Sequence, residues 1–592
     1  MIQKVEKFNN VYFRNEEYYG KYEKNLGIRD HGEVKKYCDG EDEKSVVIKE
    51  FKCCKNNGIT QNAIREICLL TKLKHPNIIK MVDILNFEPS NVENLKIVLE
   101  FYDDSLENRL STINQESIGY IKRFLYQLAK GLCYLHMNGI WHRDIKPANI
   151  LLNKGGNVVI ADFDISRFGI VNKLPITGEV TTLWYRAPEI FLGVKNYNSK
   201  VDVYSLGMVF IAIIIGDHYL KGQSENEMYK LIVEYLGNLS EDDWPGISNM
   251  ENYKYISDIA KMKKNGKIGE DLEKVSMKMG KECIDLLIKM TKPNPSNRIS
   301  IEEVLNHPFF DLGIVNSNDS IQILKDNMFN PYIDVLPDFS LKNQKQINNS
   351  QMLYILYEWM YYVKNQLELE DQTFIYARRL VDLYLNTIQS PNLKKSTFQL
   401  IGVSSLSLAS KIYEIYPNSV ETFSYISDYT SSKENIIKCE YSILKALRFK
   451  LVFPTILSFI DKYINGLKSK TLKLIKYLAL YLTIIPEFSQ KYSDDVLAQL
   501  CIKIAIQYFN DSNSKCSSHI QVSNILVENT VKFIQSNCRI LLADYSDDFE
   551  IVKIIHEFSR NWNSNQNIIL SKDMEIETDN DSEYDSEFHQ NF

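Results

Sequence analysis

Short apolar runs rich in β-branched residues, Ser45–Lys49 and Leu95–Glu100, predict strands, and they flank one stretch of helical period, Gln61–Leu73. From about residue 115 to 310 the helical period dominates, with one further strand-like run at Asn157–Ala161. A small β-rich lobe (about 20–105) followed by a larger helical lobe (106–312) is an α+β pattern. Residues 313–345 mix Asn, Asp, Ser and Pro and read as a linker. Beyond it the pattern is helical throughout: Met352–Lys364, Thr373–Leu385, Phe398–Ile412, Ser432–Leu447, Thr471–Leu482, Asp494–Tyr508 and His519–Gln535. No strand pattern interrupts, so an all-α part of two bundles is predicted, 346–455 and 456–560, of about five helices each.

Composition narrows the class. A chain of 592 residues has room for three or four domains, and its 44% hydrophobic and 24% charged content is that of an ordinary globular protein. Ten cysteines are scattered without a CxxC pair, which argues against zinc and disulfide frameworks and for the cytoplasm or nucleus (a host cell's, for a viral gene). The opening MIQKVEKFNN lacks a signal peptide's apolar core, so secretion is not expected. The longest apolar run, Met208–Ile215, is too short to span a bilayer, and no membrane role is expected. The net charge of −7 equals that of Ser571–Phe592 alone, with its eight acids and one lysine. Residues 561–592 therefore read as an acidic, solvated tail, and nothing marks a nucleic-acid surface.

The chemistry sits in the run WHRDIKPANILL, Trp141–Leu152, with VVIK ending at Lys49, Asp162-Phe163-Asp164, and Ala187-Pro188-Glu189. A single Lys or Asp is usually a solvated charge, and one Gly-x-x-x-x-Gly is a weak signal. These parts occur together and in order, and they resemble the protein-kinase motif set. The resemblance implies ATP and Mg²⁺ as cofactors. Asp144 would accept the substrate hydroxyl proton, and Asn149 and Asp162 would hold Mg²⁺. Lys49 would grip the phosphates and pair with Glu66, while Lys146 suits a Ser or Thr acceptor. Gly27 and Gly32 in LGIRDHGEV would close a turn over the phosphates. Leu26, Val34, Val47, Leu99 at the gatekeeper position, the hinge residues Glu100 and Tyr102, and Leu151 would line the nucleotide pocket.

More specifically, ITQNAIRE (Ile59–Glu66), VTTLWYRAPEIFLG (Val180–Gly193), VDVYSLGMVF (Val201–Phe210), WPGISNMENYK (Trp244–Lys254) and NRISIEEVLNHPFF (Asn297–Phe310) resemble the cyclin-dependent kinases over residues 20–312. That resemblance places Thr177 at the activating phosphothreonine, modified by a separate activating kinase. Arg65, Arg143 and Arg167 would form the cationic socket that a phosphate of about −2 charge needs to order a loop. Arg186 and its run resemble the family's preference for proline after the acceptor. Several positions depart from the pattern. Arg29 replaces the middle glycine of the phosphate loop, and Asp30 and His31 replace the inhibitory Thr-Tyr pair. Val47 replaces an alanine, and Ser105 a ribose-contacting acid. Asp164 replaces a hinge glycine, where Asp is among the better substitutes for a left-handed backbone.

MLYILYEWMYYV (Met352–Val363), FQLIGVSSLSLASKIYEIYP (Phe398–Pro417) and KCEYSILKALRFKL (Lys438–Leu451) resemble the mitotic-type cyclin box. The resemblance implies that Lys411 and Glu440 bond backbone groups near the Gln61–Leu73 helix. It also places a substrate-docking patch at Met352, Ile355, Leu356, Trp359 and Gln399. The arginine that follows the methionine in that patch is Leu353 here, although its partner, Asp382, remains. The linker's r.m.s. reach of roughly 33 Å would hold the two halves at millimolar effective concentration. The expectation is a Ser/Thr kinase acting on Ser/Thr-Pro protein substrates and activated in cis by an intramolecular kinase–cyclin contact. The alternatives are a pseudokinase–cyclin scaffold, or a cyclin module that activates another kinase in trans.

Overall fold

The computed structural model describes residues 13–14, 16–29, 32–38, 45–51, 57–85, 95–168, 183–194, 197–237, 239–255, 268, 279–311, 350–388, 393–464, 467–509 and 522–537. The linker, the acidic tail, Asp30, His31 and Thr177 lie outside these residues, as does the side chain of Arg29. By its backbone packing the chain divides into two compact units. One comprises residues 1–463 with 479–499, and the other residues 464–478 with 500–592.

The first unit opens with a six-stranded sheet built from β1 (Phe13–Arg14), β2 (Lys21–Arg29), β3 (Gly32–Cys38), β4 (Ser45–Phe51), β5 (Met81–Leu85) and β6 (Lys96–Glu100). The spatial order is β1-β5-β6-β4-β3-β2, antiparallel except for the parallel β1–β5 pair. Gly32 is demanded by the close approach of β4, since a Cβ there would fall 1.6 Å from the Glu50 carbonyl oxygen. One helix, α1 (Gln61–Lys72), belongs to this small lobe, and it buries Ala63, Ile64, Glu66, Ile67 and Leu70.

The helical lobe follows. Its centre is α2 (Leu106–Ile113), α3 (Ile118–Met137) and, after the short α4 (Pro188–Phe191), α5 (Lys200–Ile215). α5 is apolar around its whole circumference and buried along nearly its whole length, as a helix at the middle of a lobe must be. α6 (Glu225–Leu236), α7 (Lys281–Met290) and α8 (Ile301–Leu305) complete it, the last started by a Ser300/Glu303 capping box. Short strand pairs lie between the lobes: β8 (Ile140–Trp141) with β11 (Arg167–Phe168), and β9 (Ile150–Leu152) with β7 (Asp104–Ser105) and β10 (Val158–Ile160).

The C-terminal bundle of this unit holds α9 (Ser350–Gln366), α10 (Asp371–Ile388), α11 (Lys395–Tyr413), α12 (Val420–Ile426), α13 (Lys433–Ala446) and α14 (Ile456–Tyr463). α11 is its axis. The small residues of GVSSLSLAS let neighbours close in, and a Cβ on Gly402 would lie 2.8 Å from Leu356 of α9. The short helices α12 and α14 were not foreseen from periodicity. α15 (Ser469–Ile484), α16 (Pro486–Ser489), α17 (Asp494–Phe509) and α18 (Asn524–Asn537) follow. No described helix is long and apolar enough to cross a membrane. The α+β lobes followed by an all-α part are the class expected.

Candidate active site

Strand alternation turns Val47 and Lys49 of β4 to the inner face of the sheet, towards α1. Lys49 Nζ lies 2.9 and 2.7 Å from the two Glu66 carboxylate oxygens and 3.0 Å from Asp162 Oδ1. Burial disfavours the lysine's charge, but Asp162, Glu66 and Asp164 outweigh it and hold the ammonium above its ordinary range. Glu66 responds oppositely. Burial, with the neighbouring charges of Asp162 and Asp164, outweighs the pull of Lys49 and pushes its carboxyl up to about 7.

The loop between β8 and β9 is held from below by α5. Asp202, fully buried, accepts from the backbone N–H of His142 (2.8 Å) and Arg143 (2.7 Å), and pairs with His136 Nε2 (2.9 Å). Burial opposes this charge, yet those donors hold the Asp202 carboxyl below its usual range. The grip forces Arg143 to φ 71°, a left-handed backbone rare for a long side chain. Asp144 then meets Lys146 Nζ at 2.9 Å and Asn149 Nδ2 at 2.7 Å, both through Oδ2. Its other oxygen, Oδ1, is buried and has no hydrogen-bond partner among the described residues. An aspartate with one oxygen fixed by a cation and an amide and the other without a partner suits acceptance of a hydroxyl proton.

Around this centre, Val34 pairs across the sheet with Lys49, and Val47 with Leu99. Leu151 of β9 pairs with Ser105. Gly27 has φ 150° with open space where a Cβ would stand, whereas Leu26 is 43% exposed. Asn149 and Asp162 offer oxygen donors, the kind Mg²⁺ takes; Mg²⁺ usually keeps few protein ligands and fills its other positions with water and phosphate. No cluster of three or more His, Cys, Asp or Glu suited to a metal occurs among the described residues. One expectation is corrected. Asp164 is not among the residues with positive φ, so its turn does not call on a left-handed backbone; Arg143 and Asp162 (φ 70°) carry that strain instead.

The C-terminal bundle meets α1 directly. Lys411 Nζ donates to the Asn57 carbonyl oxygen (2.9 Å) just before α1, and pairs with Glu440 Oε2 (2.6 Å), while Ser407 Oγ donates to Glu440 Oε1 (2.7 Å). Glu440 thus holds Lys411; among the described residues its side-chain partners are in its own bundle, not the backbone near α1. Four more hydrogen bonds from three side chains, none legible in the sequence, surround this one. Lys72 Nζ donates to the Val452 carbonyl (2.6 Å). Arg65 donates to the Ile412 and Glu414 carbonyls (3.0 and 2.9 Å), and Arg167 donates to Ile412 (2.5 Å). These carbonyls are the unsatisfied, partly negative end of α11, so two guanidinium groups cap it.

Arg65, Arg143 and Arg167 therefore do gather in one place. Burial and mutual repulsion push Arg65 and Arg167 below the ordinary arginine range, Arg167 to about 9. The Nε atoms of Arg143 and Arg167 are buried without a hydrogen-bond partner among the described residues. Such a cluster has unspent capacity for an anion.

The expected docking patch is less open than its sequence implied. Leu356 and Trp359 are buried, Leu356 packing over Gly402, and only Met352, Ile355 and Gln399 are partly exposed. Gln399 accepts from the Thr430 hydroxyl at 3.0 Å. Leu353 is fully buried, and the partner of Asp382 is Arg378, one turn earlier on α10. The two groups lie 2.6 Å apart, and the Tyr357 hydroxyl donates to the other Asp382 oxygen at 2.6 Å. The guanidinium missing from position 353 is supplied from another helix, which a motif comparison centred on Met352 could not reveal.

Two family models match the chain. One, described as the protein kinase domain, matches residues 21–310; the other, described as the N-terminal cyclin domain, matches residues 326–452 and so begins inside the stretch expected to be linker.

Proposed function

We propose that this chain, in which a protein kinase domain is followed by a cyclin domain, is a cyclin-dependent-type serine/threonine kinase switched on by its own cyclin domain. One observation carries the proposal: Lys411 holds the backbone just before the helix whose Glu66 is paired with Lys49. A docked cyclin domain would keep that helix in place without a second protein, and the tether would keep it docked.

In this reading Lys49 positions the ATP phosphates. Asn149 and Asp162 would hold Mg²⁺, which when bound neutralises phosphate charge. Asp144 takes the proton of the acceptor hydroxyl through Oδ1, while Lys146 and Asn149 fix Oδ2. Lys146 favours Ser or Thr acceptors, and the Arg186 run favours a following proline. Phosphorylation of Thr177 by a separate kinase would add a dianion for Arg143 and Arg167. The site of action would be the cytoplasm or nucleus, in control of the cell-cycle type.

The test is phosphate transfer from Mg·ATP to a Ser-Pro peptide by the purified full-length protein, beside Asp144→Asn and a Ser-Ala peptide. Transfer lost in Asp144→Asn and weakened with Ser-Ala supports the reading. No transfer by the wild-type chain, even after Thr177 is phosphorylated, favours a scaffold. Equal transfer to both peptides removes the proline preference alone.

A further inference from the structure

The sheet of the small lobe has two faces, and the nucleotide reading uses one. Register places Lys49 and Val47 on the inner face with Val34, Leu99 and Ile97. The intervening residues of β4, Val46 and Ile48, point to the outer face, beside Tyr37 of β3 and Val98 of β6. An antiparallel sheet can leave such a face to water, and its residues are then polar. Here it is apolar, and Ile48 and Val98 are 1% and 0% exposed.

Among the described residues, what packs on it from ahead of residue 21, where the kinase match begins, is Tyr19. β1 adds a parallel sixth strand beside Ile84 and Leu85 of β5. A single 3-10 turn, Glu16–Tyr19, then brings the Tyr19 ring into one cluster with Tyr37, Ile48, Leu85 and Val98. The Tyr19 hydroxyl donates to Asp83 Oδ2 at 2.7 Å, and the Ile84 N–H donates to Oδ1 at 2.8 Å; Asp83 is fully buried on the same face. Ile48 and Lys49 are adjacent on one strand, so the contact that immobilises the first from outside bears on the second inside. An apolar contact plus a hydrogen bond to a buried carboxylate is a strong fixing point for one side chain to make.

We propose that this leading segment is a working part of the nucleotide lobe, with Tyr19 a positioning residue that holds from the outer face the strand presenting Lys49. The inference rests on the kinase reading for its effect on nucleotide, and on the packing alone for its effect on β4.

The test uses the full-length chain with Tyr19→Ala, which removes ring and hydroxyl, and Tyr19→Phe, which removes the hydroxyl alone. Mg·ADP binding is followed by calorimetry and amide exchange by mass spectrometry. In Tyr19→Ala the Mg·ADP dissociation constant rises about tenfold and the β4 amides exchange faster, while α3 in the helical lobe is unchanged. Tyr19→Phe gives a smaller change of the same kind, and it decides the matter if Tyr19→Ala does not fold. In turnover the KM for ATP rises and that for the peptide does not. Folded variants with wild-type nucleotide affinity and wild-type β4 exchange overturn the proposal. A wild-type chain that binds no Mg·ADP overturns the kinase reading instead, and exchange at β4 still judges Tyr19.

Discussion

Lys411 Nζ lies 2.9 Å from the carbonyl oxygen of Asn57, 354 residues away in the chain, and 2.6 Å from Glu440 Oε2. The ammonium and the carboxylate are both buried. Removing one partner of such a pair costs about 3–5 kcal/mol, because the other charge stays in a poorly solvated place. Lys411→Ala should therefore loosen the cyclin domain from α1 and lower phosphate transfer, with faster amide exchange in α1. Lys411→Met with Glu440→Leu should recover stability but not the bond to Asn57, so activity stays low. Full activity in Lys411→Ala would remove this contact from the mechanism.

Gly58, next to Asn57, has φ 66°, and a Cβ there would lie 3.3 Å from Glu440 Oε2 and 3.4 Å from Ile437. Gly58→Ala should cost about 1–2 kcal/mol for the backbone alone, with an added penalty at the contact. The expected result is reduced peptide phosphorylation and faster amide exchange in α1, measured by turnover and mass spectrometry. Wild-type turnover and wild-type α1 exchange in a folded Gly58→Ala variant would contradict this account.

Glu66 sets a pH dependence with opposite signs for stability and activity. Its carboxyl stands at about 7 against an ordinary 4.5, raised by burial and by Asp162 and Asp164. Between those values the folded state holds a proton that the unfolded chain has lost, so this group's contribution to stability falls as pH rises. Activity needs the ionised form to hold Lys49, and should rise across the same range. Asp164→Asn removes one repelling charge and should move the acid limb of the rate profile to lower pH. An unmoved limb in the rate–pH profile would show that Asp164 does not act on Glu66.

Arg378 is fully buried against Asp382, with Asp494 Oδ1 a further 3.7 Å from its Nη2. Arg378→Leu leaves the Asp382 carboxylate buried without its cation, and should destabilise by about 3–5 kcal/mol. Adding Asp382→Leu should restore much of the loss. Thermal unfolding of the full-length chain reads both; an Arg378→Leu variant as stable as wild type would mean that Tyr357 alone satisfies Asp382.

Much of the site was legible because its parts are local. His142-Arg143-Asp144, Asn149 and Asp162 lie within 21 residues, on loops whose ends are set by short strands that the pattern partly reveals. Lys49 and Glu66 were found because each sits in a recognisable run on one element. The burial of Leu356 and Trp359 was not legible because an apolar helix face reads the same whether it meets water or a neighbour, and Gly402 lets α9 and α11 close over Leu356. The role of Arg378 is not legible in the motif, because the charge that Asp382 requires can come from any helix that reaches it, and here it comes from α10 itself.

The sequence by itself determined the α+β then all-α order of the chain, the kinase and cyclin resemblances and the candidate reacting groups, because periodicity and short motifs are local properties. Only the tertiary structure decided which charges are buried and with whom: Lys411 with Asn57, Arg65 and Arg167 with the end of α11, Tyr19 with Asp83. The reason is physical. A charge's energy depends on the solvent it has lost and the partners it has gained, and in this chain most of those partners are tens to hundreds of residues away.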